Sequence, residues 1–91
     1  MNLQEQISRI QEMMSPKGWG ESSKKLSKEF KFDTFEESIN FVNKVAKIAE
    51  KQNHHPDITI KYNKVYITIF DHDKGSVSEK DYKFVKAVDK L

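Results

Sequence analysis

The sequence contains no cysteine among its 91 residues. This absence excludes disulfide bonds, thiolate metal ligands and a cysteine nucleophile together. The sequence also lacks any apolar run near the ~20 residues that a helix needs to cross a bilayer. The N-terminus has no apolar segment of the secretory type, and Glu5 and Glu12 argue against a transit peptide. We therefore expect a soluble, cytoplasmic protein with no membrane anchor.

An excess of charge of one sign is missing as well. The chain has 16 basic and 14 acidic residues, which gives a net charge of +2. Its lysines alternate with Asp and Glu, whereas non-specific phosphate binding needs a concentrated basic face. The sequence therefore predicts a solvated surface and no direct binding of nucleic acid. This length suits one domain, residues 1–91, whose small core a dimer or larger assembly would help to stabilise.

Three segments have the hydrophobic period of a helix. Residues 2–14, within an N-terminal amphipathic segment 1–15, are expected to pack on the domain or on a partner chain. Residues 34–52 form the clearest helix, with Thr34 as N-cap and Glu37 completing a capping box. This helix should end near Asn53, because Pro56 disfavours a helical backbone at the residue before it. Its predicted apolar face comprises Phe35, Ile39, Phe41, Val42, Val45, Ala46, Ile48 and Ala49.

The third helix is predicted over residues 78–90. Ser78 can cap it, and its apolar side comprises Tyr82, Phe84, Val85 and Val88. Strands are predicted around residues 25–32, with a short strand near Trp19 before them, and over residues 58–70. This order of elements predicts an α+β domain with helices on one face of a small antiparallel sheet.

Residues 58–70 alternate as a hairpin, "ITIKY" and "VYITIF", around a predicted two-residue turn at Asn63-Lys64. With that turn, paired positions sum to 127. One face then carries Ile58, Ile60, Tyr62, Val65, Ile67 and Ile69. The other face carries Thr59, Lys61, Tyr66 and Thr68, which suits water or a subunit contact.

The stretch "NHHPD", residues 53–57, contains two of the three histidines. The predicted register places the third, His72, opposite His55, so that His54, His55 and His72 meet at the junction of helix and hairpin. Glu50 lies one helical turn before His54 and can reach this junction. Asp57, Asp71 and Asp73 are expected to surround it.

Several chemistries compete for these histidines. Adjacent residues point in divergent directions, so His54 and His55 are poorly spaced to bind one zinc ion, and we expect no metal. No serine has the sequence context of a nucleophile. General acid–base catalysis suits imidazole, and several histidines around one pocket would suit an elimination in which Glu50 orients one ring. Histidines that only cap a helix end or lie on the surface are the alternative that these residues leave open.

The spacing of these residues is similar to a family signature. Glu50, His54-His55-Pro56, Tyr62, His72 and Asp81 are separated by three, five, nine and eight residues. This pattern resembles the pterin-4a-carbinolamine dehydratases, as do "AEKQNHHPDI", "YNKVYITIFDHD" and "SEKD", from about Trp19 to the C-terminus. The resemblance implies a four-stranded antiparallel sheet with helices on one side, in the order β-β-α-β-β-α after an N-terminal helix. It implies dehydration of 4a-hydroxytetrahydropterin to quinonoid dihydropterin, in pterin cofactor recycling, without metal or organic cofactor.

The resemblance also implies roles for particular residues. His54 and His72 would be acids toward the 4a-hydroxyl, and His55 would bind the pterin and transfer a proton with help from Glu50. The residues that it places against the substrate are Asn53, Pro56, Phe70, Asp71, Asp73 and Asp81. Family members form homodimers or homotetramers, and some animal members bind a homeodomain transcription factor. A non-catalytic dimerisation or protein-binding scaffold is therefore the alternative function, and pterin binding without turnover is a third.

Two departures from the family pattern lie at the expected edge of the pocket. The residues before the third histidine are often hydroxylic in the family, whereas here they are Phe70 and Asp71. The usual Gly-Gly-Leu-Thr after that histidine is replaced by "KGSVS". These changes leave the affinity for substrate and the identity of the pterin side chain open.

Overall fold

The fold was obtained as a computed structural model, which describes residues 18–22, 24–71 and 75–91. Its elements are β1 (Gly20–Ser22), β2 (Lys25–Lys31), α1 (Phe35–Gln52), β3 (Asp57–Lys61), β4 (Lys64–Ile69) and α2 (Glu79–Asp89). The strands form one antiparallel sheet in the order β1-β2-β4-β3. The predicted α+β architecture with four strands is thus confirmed. The predicted N-terminal helix, within residues 1–15, lies outside the described residues.

The core lies between the two helices and one face of the sheet. In the sheet, Leu26 pairs with Ile69, and Ile67 is flanked by Lys28 on one side and Ile58 on the other. The buried apolar side chains are Trp19, Leu26, Val45, Ala49, Val65, Ile67, Ile69, Phe84, Val85 and Val88. Because β4 is central and alternates buried with half-buried residues, its inward side chains anchor the core.

Helix α1 begins as predicted, but its capping contacts and its buried face differ in detail. Thr34 Oγ1 accepts the Glu37 backbone N–H at 3.1 Å, whereas the Glu37 carboxylate accepts the N–H of Asp33 rather than that of Thr34. Val45 is fully buried, but Phe35 is 52% exposed and Ala46 is exposed, contrary to prediction. At about 100° per residue, Phe35 and Ala46 lie some 80–100° around the helix axis from Val45. The predicted apolar face was therefore too wide on that side.

The hairpin register differs from the prediction by two residues. Lys61 pairs with Lys64, so the turn is Tyr62-Asn63 and paired positions sum to 125. Tyr62 adopts a positive φ of 52° and is 67% exposed, so it lies in the turn and not in the sheet. A shift of two residues keeps every other side chain on the same face, so alternation alone could not distinguish the two registers. The predicted register, from which the pairing of His55 with His72 was drawn, is therefore wrong, and His72 itself lies outside the described residues.

A polar cluster ties the start of β1 to the end of α2. The indole N–H of Trp19 donates to both carboxylate oxygens of Asp89, at 3.1 Å each. The ammonium of Lys28 lies 3.1 Å from Asp89 Oδ1 and 4.9 Å from the ring centroid of Phe30. The buried indole therefore has a hydrogen-bond partner, and the last turn of α2 is held against β1 and β2.

Candidate active site

The C-terminus of α1 turns the chain so that His54 faces the second helix. Asn53 adopts the left-handed conformation, with φ 51° and ψ 45°. Its N–H donates to the Glu50 carbonyl at 3.3 Å, and the N–H of His54 donates to the Ala49 carbonyl at 3.1 Å. This pair of bonds is a Schellman motif, which Asn tolerates better than most residues. The helix ends where the sequence predicts, and its cap fixes the direction in which His54 leaves.

His54 forms a short hydrogen bond with Asp81, the third residue of α2. The His54 Nε2 lies 2.6 Å from Asp81 Oδ1, a length typical of charge-assisted bonds. The side chain of His54 is 12% exposed, and that of Asp81 is fully buried. Because a carboxylate oxygen accepts, Nε2 carries the proton of this bond. The ring nitrogen left for exchange with a substrate is therefore Nδ1.

Asp81 is itself held at the N-terminus of α2. Its Oδ2 accepts the backbone N–H of Ser78 at 2.9 Å. A negative group in the first turn of a helix is stabilised by the unpaired N–H groups and the dipole there. Asp81 is predicted as a substrate contact, but its burial and its partners place it behind His54.

His55 points away from His54 and toward Glu50. Its Nε2 lies 3.3 Å from Glu50 Oε1, and the two side chains are 55% and 79% exposed. The sequence predicts this divergence of adjacent side chains and the reach of Glu50. The structure thus gives each of the two histidines a carboxylate of its own, one buried and one exposed.

The end of β4 contributes Phe70 and Asp71 close to this region. Asp71 is 7% exposed, and its Oδ2 accepts the hydroxyl proton of Ser78 at 3.1 Å. The ammonium of Lys25 lies 4.6 Å from the Phe70 ring centroid. Pro56 is half-buried after the two histidines, and Asp57 is exposed at the start of β3. His72 and Asp73, predicted as a catalytic residue and a substrate contact, lie outside the described residues.

Ser78 is the residue of this site that sequence reasoning did not identify as functional. The sequence predicts it only as the N-cap of the last helix, a role that the structure confirms. The spacing Ser78-x-x-Asp81 is typical of a capping box. Its position shortly after the candidate histidine His72 was the signal that could have pointed to Ser78. Its hydroxyl contact with Asp71 depends on the way β4 ends, which local patterns do not reveal.

Tyr82 neighbours Asp81 on α2 but faces β1. Burial raises the pKa of its phenol above the ordinary value, and the carboxylates of Glu21 and Asp81 add smaller increments in the same direction. Tyr82 helps to line a cavity of about 370 Å³ with Glu21, Ser22, Lys24, Ser76 and Val77. This cavity contains none of the predicted site residues.

Across residues 18–22, 24–71 and 75–91, no three His, Asp or Glu side chains converge closely enough to hold an ion. No helix in the same residues is long and apolar enough to cross a membrane.

Comparison with known proteins identifies relatives along almost the whole chain. The family model described as pterin 4 alpha carbinolamine dehydratase matches residues 3–91. A protein of Sulfolobus acidocaldarius is 42% identical over 74 residues, which cover 81% of each chain. A protein of Picosynechococcus is 39% identical over 89 residues, covering 98% of this chain and 90% of its own. Both carry the provisional name pterin-4-alpha-carbinolamine dehydratase.

Two solved structures share the fold. A Brucella melitensis protein, described as a transcriptional coactivator/pterin dehydratase, superposes with a TM-score of 0.80 and 26% identity. That match covers 99% of this chain and 95% of the other. A pterin dehydratase-like protein, described as a RuBisCO assembly factor in the alpha-carboxysome, gives a TM-score of 0.66 at 23% identity, covering 79% and 83%. The second likeness concerns the fold alone.

Proposed function

The chain belongs to the pterin-4-alpha-carbinolamine dehydratase family, and we propose that it eliminates water from a 4a-hydroxytetrahydropterin to give the quinonoid dihydropterin. The observation that carries this proposal is the arrangement of His54 and His55. One imidazole is held by a buried carboxylate and the next by an exposed one, at 2.6 Å and 3.3 Å. Two histidines with separate partners can perform two different proton transfers.

The reaction needs both an acid and a base. In a carbinolamine, one carbon carries a hydroxyl and an amine nitrogen. Protonation of the hydroxyl lets the C–O bond break with loss of water, and removal of the N–H proton lets the C=N bond form. Both transfers occur near neutral pH, where imidazole can serve in either direction.

We assign the acid role to His54 and the base role to His55. A protonated His54 donates its Nδ1 proton to the leaving hydroxyl while its Nε2–H remains hydrogen-bonded to Asp81. His55 accepts the N–H proton of the pterin ring. Its own Nε2 faces Glu50, whose carboxylate stabilises the imidazolium that forms. His72 is proposed as a second acid toward the hydroxyl, on the strength of the family pattern.

The substrate contacts are proposed from the same region. Asn53 and Pro56 flank the two histidines in sequence, and Asp71 is linked to His54 through Ser78 and Asp81. Phe70, which precedes Asp71, and Asp73 are proposed from the family pattern. Asp81 is fully buried, so we propose that it acts through His54 and does not touch the pterin. The activity would serve pterin cofactor recycling in the cytoplasm, and the small core supports a homodimer or homotetramer.

A stopped-flow assay tests the proposal. The 4a-hydroxytetrahydropterin is generated in situ, and its ultraviolet decay is followed with no protein, with wild type, and with His55→Gln and His72→Ala. We expect wild type to accelerate the decay and each variant to lose most of the acceleration. Decay that is equally fast with and without folded wild-type protein would refute dehydratase activity.

Protein binding without turnover is the second candidate function. It is favoured by the Brucella melitensis relative, which is described as a coactivator as well as a dehydratase. The departures at Phe70 and Asp71 support it too, because they lie at the predicted pocket edge. Absence of turnover, together with loss of partner binding on deletion of residues 1–15, would favour this role over catalysis.

A further inference from the structure

Ser78 lies between two buried carboxylates that belong to different parts of the fold. Its Oγ is 3.1 Å from Asp71 Oδ2 and 3.5 Å from Asp81 Oδ2. Its backbone N–H is 2.9 Å from the same Asp81 oxygen. Asp71 follows β4 and is 7% exposed, whereas Asp81 belongs to α2 and is fully buried.

The hydroxyl of Ser78 can satisfy only one of these carboxylates as a donor. A serine carries a single hydroxyl proton, and the shorter distance assigns that proton to Asp71. Asp81 is already bound by the backbone N–H of Ser78. The two donors of Ser78 therefore have different partners, since the main chain binds Asp81 and the side chain binds Asp71. An N-cap does not require the second contact.

We propose that Ser78 is a positioning residue, which fixes Asp71 relative to the Asp81–His54 pair. The links run from Asp71 Oδ2 to Ser78 Oγ, from Ser78 N–H to Asp81 Oδ2, and from Asp81 Oδ1 to His54 Nε2. Asp71 directly precedes His72 in the sequence. Ser78 thus connects Asp71, which precedes the predicted acid His72, to Asp81. Asp81 is the carboxylate that orients His54, the other predicted acid. The inference rests on the proposed dehydratase function for its catalytic consequence only.

The test compares Ser78→Ala with a matched loss of a cap hydroxyl elsewhere. Thr34→Ala is the control, because Thr34 caps α1 through its Oγ1 at the opposite end of that helix from His54. Ser78→Thr restores the hydroxyl, and Asp71→Asn keeps an oxygen that can accept its proton. Two readouts are used: kcat and KM in the stopped-flow assay, and the exchange of the His54 Nε2 proton with water by NMR.

We expect Ser78→Ala to lower kcat about tenfold with little change in KM. A shift of the Asp81 carboxylate by a fraction of an ångström would misalign His54, the proposed proton donor. The His54 Nε2 proton should exchange several-fold faster in the same variant. Ser78→Thr should retain most of both properties. Asp71→Asn should keep the slow exchange of the His54 Nε2 proton, and Ser78→Ala with Asp71→Ala should exchange that proton little faster than either change alone.

Equal behaviour of Ser78→Ala and Thr34→Ala in proton exchange would overturn the inference, since it would show only a lost cap. The same holds if the effects of Ser78→Ala and Asp71→Ala on the rate of that exchange simply multiply. A wild-type protein without dehydratase activity would refute the proposed function instead. In that case the exchange of the His54 proton still decides whether Ser78 positions the pair.

Discussion

The Nε2 of His54 and the Oδ1 of Asp81 lie 2.6 Å apart, although 27 positions separate the two residues in the sequence. The contact joins the end of α1 to the first turn of α2. It occupies Nε2 of His54 and leaves Nδ1 as the ring nitrogen that can reach a substrate. The proposed role of His54 as an acid depends on this pair.

Replacing Asp81 with Asn should lower kcat by about 10–100-fold, the range found when the group that orients a metal-ligating histidine is lost. The introduced amide can still accept from His54 through its carbonyl oxygen, but its nitrogen cannot accept the N–H of Ser78. The free energy of unfolding should therefore fall by about 1–3 kcal/mol. Steady-state kinetics and urea unfolding measure the two effects. Asp57→Asn, at an exposed position, is the control and should change neither.

Replacing Glu50 with Gln should reduce kcat only a few-fold and leave stability almost unchanged. The pair with His55 is exposed at both ends, so water screens its charge, and such pairs stabilise a fold by about 0–1 kcal/mol. His55→Gln should cost far more activity, because the ring itself transfers the proton. A loss from Glu50→Gln as large as that from His55→Gln would contradict this division of roles. Glu36→Gln, exposed on the same helix, is the matched control.

Replacing Tyr62 with Asn should stabilise the protein. Tyr62 has a φ of 52° and is 67% exposed, so a bulky residue occupies a left-handed turn position without burying much of its ring. Asn tolerates this conformation better, and relief of the strain should raise the free energy of unfolding by about 0.5–1 kcal/mol. Thermal unfolding measures the change. Tyr62→Phe keeps the strain and should have the stability of wild type.

Replacing Tyr82 with Phe should reduce the loss of stability at alkaline pH. The folded pKa of Tyr82 is raised, first by burial and then by Glu21 and Asp81. The unfolded chain therefore releases this proton at a lower pH than the folded protein does, and stability falls as pH rises above about 10. Urea unfolding between about pH 9 and pH 11 should show a shallower decline for Tyr82→Phe. An identical decline in the variant would refute this contribution, and Tyr62→Phe serves as the control.

The order of the elements could be predicted from sequence because local signals agreed. Thr34 and Ser78 mark helix starts, Asn53 and Pro56 mark an end, and alternation marks β3 and β4. The register of the hairpin could not be predicted, since a shift of two residues preserves the alternation. The positive φ of Tyr62 in the turn is one that tyrosine disfavours, so the sequence did not indicate a turn there. The turn is held in part by the hydrogen bond from the Phe32 N–H to the Asn63 carbonyl, at 2.8 Å.

The candidate site was predictable in its residue types and less so in its contacts. The spacing of one helical turn indicated that Glu50 reaches the histidines, and adjacent side chains had to diverge. The partner of His54 could not be predicted from patterns, because it depends on how α2 packs across the end of α1. The same packing buries Asp81 and Asp71 around Ser78, so a predicted cap became part of the site.

The central claim is most directly tested by the decay of 4a-hydroxytetrahydropterin in the presence of wild type and of His54→Gln, at equal concentrations of folded protein. The account predicts that wild type accelerates the decay and that His54→Gln loses most of the acceleration while keeping its fold by circular dichroism. Equal acceleration by both proteins would contradict the assignment of His54 as the acid. No acceleration by either would contradict the dehydratase function itself.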